Sequence, residues 1–268
     1  MEMKTESFLI QNGNAADVRG IPRLPIEAFR REILDAIENG RRLAGFFGQR
    51  QSSGLTVLFA ILADDAENAL ALLSAESSGR YPALTPNCPQ AHRVEREIHE
   101  QTGIVPDGHP WLKPVRYPKR AGGESILGDT KFFSAQGDEL HEVAVGPVHA
   151  GIIEPGHFRF QCHGENVSHL EIQLGYQHRG AETFLENAPA PRPQAVAESI
   201  AGDTVIGHAL AYCELMEALG AGRVSPRAQA IRGIALELER AANHVGDLGA
   251  LCTDIGFLPA SAYFGRLR

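Results

Sequence analysis

Apolar residues near the N-terminus recur every three or four positions and then give way to longer apolar runs. The sequence 26–40 predicts a helix that stops at Gly40, because glycine readily ends helices. Its apolar positions share one face: Phe29, Ile33, Leu34 and Ile37. The next predicted elements are strands over 42–49 and 55–63, joined by a turn, and helices over 66–77 and 92–101. Together these elements predict a small α+β domain.

The second half of the chain changes from short strands to long helices. Apolar runs separated by turn sequences predict three strands, over 142–148, 158–162 and 169–174. One long helix is then predicted over 193–219 and closed by Gly220, although Gly202 and Gly207 fall inside it. Another begins at the cap residue Ser225, before a first-turn proline. This order predicts a β-meander followed by a helical bundle.

The last of these helices carries an apolar stripe and a polar row. The apolar positions alternate at three and four residues: Ile231, Ile234, Leu238, Ala241, Val245, Leu248 and Cys252. Such spacing predicts an unbroken buried stripe. The polar positions lie on another face: Glu237, Arg240, His244 and Asp247. They form either a solvated row of ion pairs or an interface with a partner chain.

The two halves are separated by residues 117–138, which are rich in glycine and charge and show no sustained period. Such a segment is typical of a linker. The predicted domains are therefore residues 1–116 and 139–268, and the predicted fold class is α+β.

Composition and charge narrow the class of protein. The chain has 25 Lys and Arg against 33 Asp and Glu, a net charge of −8, which argues against a nucleic-acid partner. No apolar run approaches the ~18 residues that span a bilayer, and the N-terminus lacks a signal-peptide core. We therefore expect a cytosolic or peripheral protein. Neither the 4 cysteines nor the 11 histidines are spaced like metal ligands, so no metal site is predicted.

The densest group of residues with ionisable or catalytic side chains lies at 174–182, where a predicted strand is followed by a helical segment. Glycines bracket a tyrosine, a histidine, an arginine and a glutamate there: Tyr176, His178, Arg179 and Glu182. A partly buried Glu182 beside Arg179 would have a tunable pKa and could move protons. The structural alternative is a simple ion pair between the two.

Short motifs along the chain resemble subunits of respiratory complex I. Residues 91–110 carry ERE, GI and GHP in order, which resembles its 30 kDa subunit. The motifs that resemble its 49 kDa subunit are GPVH at 146–149, GE at 164–165, GYQHRGAE at 175–182, AY at 211–212, PRA at 226–228 and NH at 243–244. The sequence EPGHFR at 154–159, and the fusion of both domains, are closer to the large subunits of formate-hydrogenlyase-type membrane-bound (group 4) hydrogenases.

The chain departs from this family where the family's chemistry is located. The hydrogenase pattern implies nickel-iron cysteine ligands at Ala201 and Thr204, and neither side chain supplies a thiolate. The complex I pattern implies a quinone-binding tyrosine at Gly202. It also implies a hairpin histidine, for which His149 and His157 are the candidates. The resemblance therefore implies a chain that is not itself a hydrogenase, binds no metal and is an incomplete large subunit.

Several polar residues remain as candidates. For proton transfer they are Glu182, which matches the glutamate of the family's RGxE motif, together with Thr204 and His208, which share a helical face. For the acceptor cavity they are His149, His157 and Asp203.

The resemblance implies a subunit of a membrane-associated complex like NADH-quinone oxidoreductase or hydrogenase, peripheral on the cytoplasmic face of the inner membrane. Its expected partners are a small iron-sulfur subunit that holds the cluster, a ferredoxin-like subunit and antiporter-like membrane subunits. Quinone is the candidate acceptor, and the chain itself is expected to bind no cofactor. The alternative is a catalytically inactive scaffold or assembly subunit. A soluble hydrolase lacks support, because no nucleophile motif is present.

Overall fold

The computed structural model describes residues 7–116, 131–137, 139–148, 154–187, 192–220 and 222–268. The chain divides into two compact units, Met1–Lys131 and Phe132–Arg268. The described part combines helices with strands, which confirms the predicted α+β class. The predicted linker lies largely outside the described residues. No helix among the described residues is long and apolar enough to cross a membrane.

The first unit is built on an antiparallel sheet with two helices. Its elements are β1 (Phe8–Ile10), β2 (Arg23–Leu24), α1 (Ile26–Glu38), β3 (Arg42–Arg50), β4 (Thr56–Asp64), β5 (Ala69–Ser77), β6 (Arg80–Pro82), α2 (His92–Thr102) and β7 (Val105–Asp107). The strand order is β1-β5-β4-β3, β2 pairs with β5 in parallel, and β6 pairs with β7. Both predicted helices at 26–40 and 92–101 are confirmed, and both predicted strands at 42–49 and 55–63 are confirmed.

A glycine follows the end of each helix in this unit. Gly40 has φ +86° and Gly103 has φ +81°, a left-handed backbone conformation that favours glycine. The main core lies between the helices and the sheet, and its largest fully buried members include Phe29, Ile33 and Ile98. Burial of these side chains joins α1 and α2 to the sheet.

The predicted helix over 66–77 is wrong, because these residues form the central strand β5. It pairs with β4 along its whole length and with β1 on its other side. Leu73 and Ala75 belong to the main core, whereas Leu72 and its partly buried neighbour Leu70 belong to a second apolar cluster. Burial on both faces produces a nearly continuous apolar run, and periodicity alone does not separate such a strand from a buried helix.

The second unit contains an antiparallel meander and five helices in its described part. Its elements are β8 (Leu140–Val148), β9 (Gly156–His163), β10 (Asn166–Gln173), α3 (Ala181–Asn187), α4 (Pro193–Glu198), α5 (Val205–Leu219), α6 (Pro226–Asp254) and α7 (Leu258–Leu267). The three predicted strands are confirmed. The predicted helix starting after Ser225 is also confirmed, and the Ser225 hydroxyl accepts a hydrogen bond from the Ala228 amide at 3.2 Å.

The prediction of one continuous helix over 193–219 is wrong, because the chain breaks between Glu198 and Val205. Groups from elsewhere stabilise the break. Arg179 donates to the carbonyl oxygen of Ile200 at 2.8 Å, and Asn243 donates to that of Asp203 at 2.7 Å. These bonds satisfy backbone groups that lack helical partners.

The prediction of a buried stripe on α6 is also wrong. Ile231, Ile234 and Leu238 are 56%, 62% and 66% exposed. The helix instead contacts α5 through a different face, where Arg232 pairs with Glu217 at 2.6 Å. The periodicity therefore identified an apolar face correctly but not what covers it.

Candidate functional site

The loop between β10 and α3 places Arg179 against the break in the helices. The chain turns at Gly175 and Gly180, whose φ angles are +102° and +70°. The Arg179 guanidinium then donates to the carbonyl oxygens of Ser199 and Ile200. Arg179 therefore ties this loop to the end of α4, a role that the sequence did not predict.

Glu182 lies in the first turn of α3, and its side chain is exposed. The predicted partial burial of this carboxylate is therefore wrong. An acidic residue at this position interacts favourably with the positive end of the helix dipole. An exposed carboxylate there remains accessible to protons from solvent.

Thr204 and His208 are brought together, as their spacing predicted. The His208 Nδ1 atom lies 2.9 Å from the Thr204 hydroxyl and 2.8 Å from the Thr204 carbonyl oxygen. A carbonyl oxygen only accepts hydrogen bonds, so this geometry assigns a proton to Nδ1. In the neutral ring, Nε2 is then the unprotonated nitrogen.

Glu239 completes this region from the neighbouring helix α6. Its two carboxylate oxygens accept hydrogen bonds from the backbone amides of Ile206 at 2.6 Å and Gly207 at 3.0 Å. Both amides belong to the first turn of α5, where backbone amides have no acceptor within the helix. Sequence reasoning missed Glu239. The available signal was its position, because a helical wheel separates it from both the apolar stripe and the polar row of α6.

Asp203 is held in the same region. Its carboxylate pairs with Arg268 at the end of α7, and its carbonyl oxygen accepts from Asn243. The carboxylate remains mostly exposed, so the ion pair adds little stability. Asp203, Thr204 and His208 therefore lie in one short polar segment, at the N-terminal end of α5.

The two candidate hairpin histidines have different outcomes. His149 lies outside the described residues. His157 lies on β9, where its Nδ1 atom is 3.2 Å from the Gly146 carbonyl oxygen and its ring centroid is 5.4 Å from that of Phe132. Among the described residues, the hydrogen-bond partners of His157 are separate from those of Thr204 and His208.

The positions expected for nickel-iron ligands offer no metal donor set. Ala201 has no donor side chain, and the Thr204 hydroxyl is bonded to His208. A neutral hydroxyl is a poor substitute for the soft thiolates that such metals prefer. Within the described ranges, no group of three or more His, Cys, Asp or Glu residues could hold a metal ion.

The contact between α5 and α6 includes an ion pair, formed by Arg232 and Glu217, that shifts the pKa values of both side chains. The hydrogen bonds from the Arg232 guanidinium lower the pKa of the Glu217 carboxyl below its ordinary value, and the Glu217 carboxylate raises the pKa of Arg232. Both side chains are 27% exposed. This pair fixes α5 against α6 at the end opposite Glu239.

The meander has one apolar face and one polar face. Four apolar side chains on the first face are 41–43% exposed: Val143, Val145, Leu170 and Ile172. On the polar face, Gln161 and Glu171 are only 3% and 4% exposed. Gln161 donates to Glu142 at 2.6 Å there. The described residues therefore cover the polar face more fully than the apolar one, and exposed apolar patches are typical of interaction surfaces.

Comparison with known proteins confirms the predicted resemblance. Residues 40–126 match the family described as the respiratory-chain NADH dehydrogenase 30 Kd subunit. The chain is 32% identical over 208 residues to formate hydrogenlyase subunit 5 of Escherichia coli K12, covering 70% of this chain and 37% of that protein. It is 32% identical over 218 residues to hydrogenase-4 component G of the same organism, covering 74% and 39%.

The chain is also similar to C/D subunits of NADH-quinone oxidoreductase. It is 28% identical over 262 residues to the C/D subunit of NADH-quinone oxidoreductase from Shewanella oneidensis, covering 84% of this chain and 43% of that protein. The chain therefore spans about two fifths of the length of these relatives. The similarity includes both units of this chain, since it covers 84% of the chain and each unit is only about half of it.

Proposed function

We propose that this chain, whose residues 40–126 match the 30 Kd subunit family of respiratory-chain NADH dehydrogenase, is a subunit of a membrane-associated oxidoreductase complex. The observation that supports this most is the similarity across both units to fused C/D and hydrogenase subunits. Its proposed position is the cytoplasmic face of the inner membrane. The chain is a peripheral component there.

The proposed role is to position an electron acceptor and deliver protons. Ala201 and Thr204 do not supply the thiolates that nickel and iron need, so the electron chemistry is assigned to an iron-sulfur cluster in a partner protein. Quinone is the proposed acceptor. Glu182, Thr204 and His208 are the proposed proton-transfer residues, and Asp203, His149 and His157 are proposed to line the acceptor cavity.

The exposed apolar faces support a role inside a larger assembly. The apolar face of the meander and the stripe on α6 both expose large side chains in the described part of the chain. Apolar surface on this scale favours association. The proposed partners are the small iron-sulfur subunit, a ferredoxin-like subunit and antiporter-like membrane subunits.

A second candidate function is that of a scaffold without catalytic residues. It is favoured by the departures at Ala201, Gly202 and Thr204, which remove the side chains that both branches of the family use. The scaffold role also agrees with the exposed apolar faces. It differs from the first proposal in requiring nothing of Glu182 or His208.

Substitution within the complex separates the two functions. Glu182→Gln and His208→Gln are each introduced into the native complex, purified from its own cells in mild detergent. Loss of a proton-transfer group is expected to lower acceptor reduction about a hundredfold or more while the complex keeps all of its component chains. Glu186→Gln on the same helix and His244→Gln on α6 are the matched controls, because both side chains are exposed. Full turnover in both test variants would support the scaffold instead.

A further inference from the structure

At the start of α5, the residue in the N-cap position is not the residue whose side chain caps the helix. Thr204 occupies the N-cap position, where a threonine hydroxyl normally accepts from one of the first amides of the helix. Here its side chain makes no such bond, and its backbone angles are φ −131° and ψ 43°. The ordinary capping role is therefore vacant at Thr204, and its hydroxyl lies 2.9 Å from His208 Nδ1 instead.

The capping role is filled by Glu239 from α6. Its carboxylate accepts from the amides of Ile206 and Gly207, at 2.6 Å and 3.0 Å. These are the second and third residues of α5, the positions whose amides a capping side chain usually satisfies. A negative charge at this helix end is also stabilised by the helix dipole. A Cβ atom at position 207 would lie 3.5 Å from the nearer Glu239 oxygen, an ordinary van der Waals contact, so the cap does not depend on a glycine there.

We propose that Glu239 is a positioning residue for His208. By capping α5, Glu239 leaves the Thr204 hydroxyl to the imidazole ring, and Thr204 then holds that ring through Nδ1 with both its hydroxyl and its carbonyl oxygen. The ring keeps its proton on Nδ1 and presents Nε2 as the acceptor. Without Glu239, two first-turn amides lose their acceptor, and the Thr204 hydroxyl is drawn toward them. This role rests on the proposed proton transfer through His208.

The matched replacements are Glu239→Gln and Glu237→Gln. Glutamine at 239 keeps the shape of the side chain but retains one accepting oxygen, so only one of the two amides stays well bonded. Glu237 lies two residues away and pairs with Arg240 on an exposed face. Its replacement removes the same charge from the same helix without touching α5.

The test uses the full 268-residue chain labelled uniformly with 15N, so that both histidine rings and backbone amides are observed, with the His208 ring signals assigned through His208→Gln. In the unmodified protein and in Glu237→Gln, His208 is expected to carry its proton on Nδ1. In Glu239→Gln, the share of the Nε2-protonated form is expected to rise, and the Ile206 and Gly207 amides are expected to exchange with solvent about tenfold faster. A spectrum and exchange rates equal to those of Glu237→Gln would overturn the proposal.

Thr204→Val provides a second test that leaves Glu239 intact. Valine removes the hydroxyl while keeping a β-branched shape. If Glu239 is the cap, the Ile206 and Gly207 amides exchange as in the unmodified protein, while the His208 ring loses one of its two contacts and its tautomer signals shift. Faster exchange at both amides would show that Thr204 is the cap and would refute the role of Glu239, even if Glu239→Gln failed to fold.

Turnover of the native complex separates this inference from the proposed function. Loss of turnover in both His208→Gln and Glu239→Gln, with an altered ring spectrum in the latter, supports both. Full turnover in His208→Gln would refute proton transfer through His208, and with it the functional role assigned to Glu239. Loss of turnover in His208→Gln together with an unchanged His208 spectrum in Glu239→Gln would refute only the positioning role.

Discussion

Replacing Glu95 in α2 is expected to destabilise the first unit strongly. Its side chain is fully buried, at 0% exposure. One carboxylate oxygen accepts from the Leu84 amide at 2.7 Å, and the other accepts from the Thr85 amide at 3.0 Å and the Thr85 hydroxyl at 2.5 Å. Glu95 therefore fixes the segment that follows β6 against α2 through three buried hydrogen bonds.

The expected magnitude follows from the donors that a substitution leaves without an acceptor. Glutamine has one accepting oxygen, so at least one of the two backbone amides is orphaned at a cost of about 1–3 kcal/mol. The remaining bonds also lose the strength that a charged acceptor gives. We expect a loss of roughly 3 kcal/mol for Glu95→Gln. Alanine leaves all three donors unsatisfied and opens a cavity, for which we expect roughly 4–5 kcal/mol.

The assay is urea unfolding followed by tryptophan fluorescence. Trp111 is the only tryptophan in the chain and lies in the first unit, with the Arg96 guanidinium 5.2 Å from its ring centroid. Its signal therefore reports the unfolding of the unit that contains α2. Glu38→Gln, at the exposed last residue of α1, is the control and is expected to change stability by less than about 0.5 kcal/mol. A Glu95→Gln protein as stable as this control would refute the reasoning.

Three further outcomes are expected. Gly48→Ala should destabilise the first unit by about 1–3 kcal/mol in the same assay. The reason is that the new Cβ atom would lie 3.1 Å from the Ile98 side chain and 3.2 Å from the Thr56 side chain. Unchanged stability would mean that α2 can move away from β3. Gly207→Ala should be neutral or stabilising by up to about 1 kcal/mol in thermal unfolding followed by circular dichroism, because alanine favours a helix more than glycine does. The new Cβ atom would lie at an ordinary contact distance of 3.5 Å from Glu239. A clear loss of stability would contradict this spacing. Arg232→Gln should reduce stability near neutral pH, where Glu217 is ionised. Because the folded-state pKa of Glu217 is lowered, the stability that its ion pair contributes is present above the ordinary pKa of 4.5 and is lost as pH falls through the folded-state pKa. The difference in stability between the variant and the unmodified protein should therefore shrink between about pH 6 and about pH 3. A difference that stays constant with pH would contradict this linkage.

Local patterns predicted the elements of the first unit where one face is buried. The helix of 26–40 has its apolar residues on one side and a glycine at its end, so periodicity and termination agree. The strand at 69–77 has no polar side to reveal its period. Its alanines and leucines also suit a helix, and only the pairing with strands on both sides makes it a strand.

The helical unit shows why tertiary contacts limit prediction from sequence. The break before Val205 is stabilised by Arg179, Asn243 and Glu239, which lie well before or well after it in the chain. Local propensity contains no information about such partners. The stripe on α6 has the same limitation, because spacing identifies which residues share a face but not which surface covers them.

The candidate site was predicted where it depends on helical spacing and missed where it depends on neighbouring elements. Thr204 and His208 are four residues apart, and their contact follows from that spacing. The bidentate role of Glu239 requires α5 and α6 to be adjacent, which periodicity does not establish. The expected partial burial of Glu182 failed for the same reason, since exposure is set by what packs around α3.

The central claim is that this chain works as a subunit of a membrane-associated oxidoreductase complex. Its most direct test is affinity purification of the protein from its own cells in mild detergent, followed by mass spectrometry of the co-purifying chains in stoichiometric amount. The account predicts an iron-sulfur small subunit together with antiporter-like membrane subunits. Recovery of this chain alone, as a soluble protein at the same cellular abundance, would contradict it.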